Sequence, residues 1–188
     1  MKQCPICTAE FTPKKMGQKG CSPICQKEIE RQRKILKQRK LALRTRTQWL
    51  KEAQIEFNRY IRERDSALPC ISCGRFHAGS YDAGHYRSIG AAPQLRFHED
   101  NCWKQCVPCN QHKSGNSVEY RIRLVERIGV ERVEALERDN SVRKYTIEEA
   151  QAIKAEYRAK LKALDNAQVQ AAAESGNAAC SRSPGTKS

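Results

Sequence analysis

The sequence predicts a small, zinc-stabilised α+β protein, and three observations lead there. The cysteines come in spaced pairs: Cys70-Ile71-Ser72-Cys73 and Cys106-Val107-Pro108-Cys109 in mid-chain, Cys4-Pro5-Ile6-Cys7 and Cys21-Ser22-Pro23-Ile24-Cys25 at the start. Aromatic residues are 6% of the 188 and charged residues 30%, which argues against a large self-sufficient core. A hairpin signal followed by helical periodicity surrounds the central cysteine pairs.

Ten cysteines allow disulfides or metal. Met1-Lys2-Gln3-Cys4 runs into a knuckle with no apolar stretch behind it, so the paired spacing reads as zinc in a reducing, cytoplasmic setting. Each set of four thiolates can close a tetrahedral shell unaided, which predicts two structural zinc ions. A formal net charge of +14 and a pI near 9.5 point to a polyanion. An anionic membrane would require a basic helix backed by large apolar residues, which the most basic stretch lacks. No run approaches the ~18 apolar residues of a membrane span. Nucleic acid is the expected partner, with neither membrane nor small-molecule substrate.

Residues 1–26 form a four-cysteine zinc knuckle (Cys4, Cys7, Cys21, Cys25) with no ligand position left for chemistry, hence a structural knob or a tab for a partner. Residues 27–46 are a basic helical arm or linker: Arg31, Arg33, Lys34, Lys37, Arg39, Lys40, Arg44 and Arg46 follow one another without an acid. Ile35, Leu36, Leu41 and Leu43 share no face there, as in a solvated helix.

Residues 47–164 form the main domain. Trp49, Leu50, Ala53, Phe57, Tyr60 and Ile61 fall on one side of a helix that Leu68-Pro69 stops. Tyr81–Arg87, a Gly90–Pro93 turn and Gln94–Phe97 read as a hairpin. After Cys109 the chain turns helical, with Val118, Ile122, Val125 and Ile128 as the apolar face and Gly129 closing the run. A short helix around Glu131–Arg138 follows. Thr146-Ile147-Glu148-Glu149 is a capping box opening a helix with Ile147, Ala150, Ile153, Tyr157, Leu161 and Leu164 on one face. The composition of 165–188 predicts a disordered tail, with Cys180 incidental.

The residues between and behind the central pairs suit phosphodiester chemistry. His85 is neutral near pH 7 and can take a proton from water. Asp82 offers a carboxylate and Asn110 an amide oxygen, a donor set suited to Mg²⁺ or another divalent cation. Arg87, His112 and Lys113 are candidate phosphate contacts.

Asp82-Ala83-Gly84-His85, Asn101 and Cys109-Asn110-x-x-Lys113, bracketed by two Cys-x-x-Cys pairs, resemble the HNH (ββα-metal) endonucleases. From about Leu41 to Leu164 the chain looks more narrowly like the NinG, or Rap, recombination endonucleases of lambdoid phages. Arg62-Glu63-Arg64-Asp65, Leu68–Gly74, Ala91–Phe97 and Cys109–Asn116 match that family's pattern. The resemblance implies an HNH ββα-metal core with flanking helices, pinned by a zinc ion on Cys70, Cys73, Cys106 and Cys109. It assigns His85 as general base, Asn101 as the middle motif residue fixing loop geometry, and Asn110 with Asp82 as ligands of the catalytic metal. It further implies hydrolysis of branched DNA (Holliday junctions and D-loops) during phage recombination in the bacterial cytoplasm, by a homodimer. Cys102 and Trp103 depart from the isoleucine and histidine expected there. Gly84 stands where many HNH enzymes place a ligand.

Overall fold

The computed structural model describes residues 1–180, with side chains placed through Gln170. The chain divides after Thr45 into two units. In the first, strands β1 (Lys2–Gln3) and β2 (Glu10–Phe11) pair antiparallel, Lys2 opposite Phe11. The Cys4–Cys7 knuckle turns between them, where Thr8 N–H donates to the Cys4 carbonyl at 2.9 Å. Helix α1 (Pro23–Ala42) starts on Ser22, whose Oγ accepts from Cys25 N–H at 3.3 Å, with Pro23 in the first turn where its missing N–H costs nothing. Cys25 and Ile29 are its buried residues. From Glu30 to Ala42 every side chain is exposed.

The second unit opens with α2 (Arg46–Arg64), which buries Trp49, Ala53, Phe57 and Ile61. They recur at four-residue spacing, so one stripe of the helix faces inward. The partner is α5 (Ile147–Cys180). The Phe57 and Tyr157 rings meet edge-on with centroids 4.9 Å apart, and Phe97 closes on Phe57 at 5.7 Å. Burying Phe57 and Ile61 contributes about 1.5–3 kcal/mol each. The capping box forms as read: Glu149 N–H donates to Thr146 Oγ1 at 3.1 Å, and Thr146 N–H to Glu149 Oε2 at 2.8 Å.

Against α2 packs an antiparallel pair, β3 (Tyr81–His85) and β4 (Cys102–Cys106), in unbroken register from Tyr81↔Cys106 to His85↔Cys102. This corrects the hairpin reading, because Gln94–Phe97 is not the partner strand. Pro93–Leu95 is a single 3₁₀ turn instead. The true partner, Cys-Trp-Lys-Gln-Cys, buries Cys102, Lys104, Gln105 and Cys106. Covered on both faces, it lacks the period-two pattern that marks a strand.

A wide π-helical turn at Pro108–His112 leads into α3 (Ser117–Ile128) and α4 (Val130–Arg138), which share Gly129 as boundary. The buried face of α3 is Tyr120 and Leu124, with Val125 and Ile128 alongside, whereas Val118 and Ile122 are exposed. Tyr120 outcompetes the aliphatic pair because its ring fills the core with Ile71, Leu95 and Val133 while its hydroxyl reaches the Gly84 carbonyl at 2.8 Å. Helix α5 continues past Asp165 to Cys180, into the segment expected to be disordered. Its many alanines are the best helix formers and extend a helix already nucleated by packing. Residues 181–188 lie outside the described residues. Among the described residues no helix is long and apolar enough to cross a membrane.

Candidate metal centres and a histidine-lined cleft

The sulfur atoms of Cys70, Cys73, Cys106 and Cys109 all lie within 4.8 Å of one another, and so do those of Cys4, Cys7, Cys21 and Cys25. In a tetrahedron with ~2.3 Å zinc–sulfur bonds the sulfurs stand about 3.8 Å apart; Cys73 and Cys106 are 3.9 Å apart and Cys7 and Cys25 3.8 Å. In the central set, Cys70 and Cys73 come from the knuckle behind α2, Cys106 from the end of β4 and Cys109 from the π turn. Burial pushes the Cys106 thiol up to about 12 and raises that of Cys109, so holding these two as thiolates calls for a divalent cation to share their charge. Both sets fit zinc.

One neighbour of the central set escapes sequence reading. His77 Nε2 stands 3.1 Å from Cys73 Sγ, while its backbone N–H donates to the Tyr81 hydroxyl at 2.6 Å. The only sequence signal is a histidine four residues behind a cysteine pair.

Strand β3, the loop after it and the π turn border a cleft of about 420 Å³ whose walls include Ala83, His85, Asn110 and Gly115, with Gln54 and Asn58 from α2. His85 Nε2 lies 3.0 Å from the Arg96 carbonyl. A carbonyl only accepts, so Nε2 carries the proton and Nδ1 keeps its lone pair. Nδ1 lies 3.7 Å from Cys102 Sγ. Burial, aided by the Arg96 guanidinium, lowers the His85 pKa below its usual value and keeps the ring neutral.

Asp82 does not line this cleft. Strand alternation turns it to the face opposite Ala83 and His85, and the continuous register leaves no bulge to re-aim it. Its Oδ2 accepts instead from Asn110 Nδ2 at 2.8 Å and Gln111 Nε2 at 2.9 Å. Asn110 thus joins Asp82 to the cleft that His85 lines. Gly84 cannot be replaced by a ligand: a Cβ there would lie 2.0 Å from Gln105 Oε1. Gln105 is buried and fixed by donating to Ser72 Oγ and the Gly115 carbonyl, each at 2.6 Å.

Asn101 is fully buried and does not line the cleft. Its amide donates to the Arg87 and Leu95 carbonyls at 3.0 and 3.2 Å and its Oδ1 accepts from Arg87 N–H at 2.8 Å. It clamps the loop between β3 and β4, a positioning role. Arg87, expected as a phosphate contact, is engaged within the fold instead. Its guanidinium donates to the Leu136, Glu137 and Asp139 carbonyls at the end of α4, satisfying carbonyls that a helix end leaves orphaned. His112 and Lys113 are exposed at the end of the π turn. Arg31 through Lys40 are exposed along α1, and Arg46 at the start of α2. Cys102 is core, completely buried, and burial raises its thiol pKa. Trp103, paired with Gly84 and so facing away from His85, lies between the Arg64 and Arg127 guanidinium groups at 4.2 and 4.8 Å.

These features define a small α+β protein with two tetracysteine sets that could each hold a metal ion and a histidine–asparagine cleft beside one of them. The chain belongs to the NinG family of lambdoid phages: the family profile for the bacteriophage lambda NinG protein matches residues 26–167. It is 52% identical over 190 residues to protein ninG of Escherichia phage lambda, covering 88% of this chain and 93% of the relative. It is 51% identical to protein ninG of Salmonella phage P22 (88% and 94%) and 50% identical to that of Escherichia phage 933W (91% and 97%). No solved structure matches the chain.

Proposed function

We propose that this chain is a metal-dependent DNA endonuclease of the HNH type, acting on branched recombination intermediates. One observation carries the reading: His85 and Asn110, from different elements, stand on the walls of the same cleft. The charge of +14 favours a polyanionic substrate. The branched shape of that substrate, and a homodimer placing two sites on a four-way junction, rest on the family resemblance.

In this mechanism His85 Nδ1 accepts a proton from the attacking water, while the Arg96 carbonyl holds the ring in the required tautomer. On this cleft the Asn110 amide oxygen is the group that would hold Mg²⁺, and Asp82, turned to the other strand face, would orient it by accepting from its Nδ2. When bound, that ion neutralises charge on the phosphate and the departing oxygen. Asn101 keeps the loop carrying Arg96 in register with β3.

The test is a nicking assay on a four-way junction and a linear duplex of matched sequence, with and without Mg²⁺. Cutting of the junction that needs Mg²⁺ and disappears in His85→Ala, with junction binding retained, supports the proposal. Equal cutting of both substrates would remove the branched-DNA element. Binding without cutting under any condition would leave a DNA-gripping protein.

A further inference from the structure

Along helix α1 ten consecutive residues, Arg31–Lys40, are all exposed. On a helical wheel of 3.6 residues per turn its side chains sort into four strips. Cys25, Ile29, Gln32 and Leu36 form a back strip without cations, and Cys25 and Ile29 are the helix's buried residues. The zinc knuckle therefore sits on this side. Lys27, Lys34 and Lys37 form the opposite, front strip. Arg33 with Lys40 occupies one flank and Arg31 with Arg39 the other. Basic charge covers roughly 260° of the circumference, and no acid follows Glu30 in the helix.

A helix lying on a flat anionic surface uses about half its circumference and buries an apolar face. Charge on both flanks and the front suits a helix held between two rows of phosphates. The major groove of B-form DNA is ~12 Å wide, and an α-helix with its side chains measures about 10–12 Å. We propose that α1 seats in the major groove of duplex DNA. Arg33 and Lys40 face one phosphate strand, Arg31 and Arg39 the other, and the zinc knuckle stays outside the groove on the back strip. Arg31 pairs with Glu28 across one turn at 2.8 Å; so exposed a pair contributes little, and a phosphate can take Glu28's place. The inference rests on DNA as the partner and not on catalysis.

The test uses the full-length, zinc-loaded chain in Mg²⁺-free buffer, titrated onto a labelled DNA duplex and an RNA duplex of the same sequence. The major groove of duplex RNA is too deep and narrow to admit a helix. On DNA, Arg33→Gln/Lys40→Gln and Arg31→Gln/Arg39→Gln should each weaken binding on the order of tenfold or more. Each should also flatten the salt dependence by about 2 in log–log slope. Combined, their effects should multiply. On RNA either variant alone should cost little, because the helix can roll onto its intact side. Gln32→Ala, on the back strip, should change neither. Loss from one flank only, or equal losses on DNA and RNA, would overturn the groove reading. Zinc content and far-UV circular dichroism of each variant separate unfolding from lost contact; should a glutamine variant unfold, the Arg→Lys and Lys→Arg exchanges must restore folding and DNA binding together. Failure to nick in the assay above, with this pattern intact, would dispose of the nuclease and keep the groove contact.

Discussion

His85 and Arg96 are joined by a 3.0 Å hydrogen bond from the imidazole Nε2 to a backbone carbonyl. That bond fixes the tautomer, and burial keeps the ring neutral. A histidine whose folded pKa lies below the unfolded value near 6.5 binds fewer protons when folded. Its stability contribution is complete above the unfolded pKa and is lost as pH falls below it toward the folded value. Nicking should accordingly rise with pH and level off below the pKa of an ordinary histidine. The pH–rate profile checks this, and a midpoint above 7 would contradict it. His85→Ala should lower the rate by about 10²–10⁴.

Gly84→Ala tests the close approach of β3 to Gln105. The added Cβ meets Gln105 Oε1 at 2.0 Å, and Gln105 is fixed by its bonds to Ser72 and Gly115. Overpacking of this kind costs about 1–3 kcal/mol. Urea unfolding should show that loss, and wild-type stability would contradict the packing described here.

Asn101→Ala should destabilise the second unit by about 3 kcal/mol, since it leaves the Arg87 amide and the Arg87 and Leu95 carbonyls without partners. The rate, measured well below the unfolding temperature, should fall because the Arg96 carbonyl shifts, while DNA affinity remains near wild type. A variant as stable as the parent would show that the clamp contributes nothing.

Metal analysis should return two zinc ions per chain, one for each tetracysteine set. Cys70→Ser and Cys4→Ser should each lose one. Cys70→Ser should also abolish nicking by loosening β4 and the π turn, whereas Cys4→Ser should leave the second unit folded. Retention of two ions in either variant would mean that its set is not a zinc site.

The parts of the fold legible in the sequence are those set by local spacing. The cysteine sets, the Trp49–Ile61 stripe of α2, the capping box at Thr146 and the Gly129 boundary each depend on residues a few positions apart. What stayed hidden depends on distant neighbours. Cys102–Cys106 is covered on both faces, so it shows no alternation, and the sequence points to Gln94–Phe97 instead. Arg87 carries the charge of a phosphate contact, yet the end of α4, remote in sequence, takes up its donors. His77 reaches Cys73 through a loop whose path no spacing rule describes. At the cleft, the juxtaposition of His85 and Asn110 could be anticipated from their motif positions. The turning of Asp82 away from the cleft followed from strand alternation once no bulge intervened.

Cys25 belongs at once to a tetracysteine set and to the first turn of α1. An isolated helix must form its first turn unaided, an unfavourable step, and α1 must do so against mutual repulsion among its cations. An ion gripping Cys21 and Cys25 would supply that turn ready-made, a starting block from which the rod grows. Withdrawing it should slacken the rod into a charged tether, visible as a fall in helical ellipticity while the second unit stays intact.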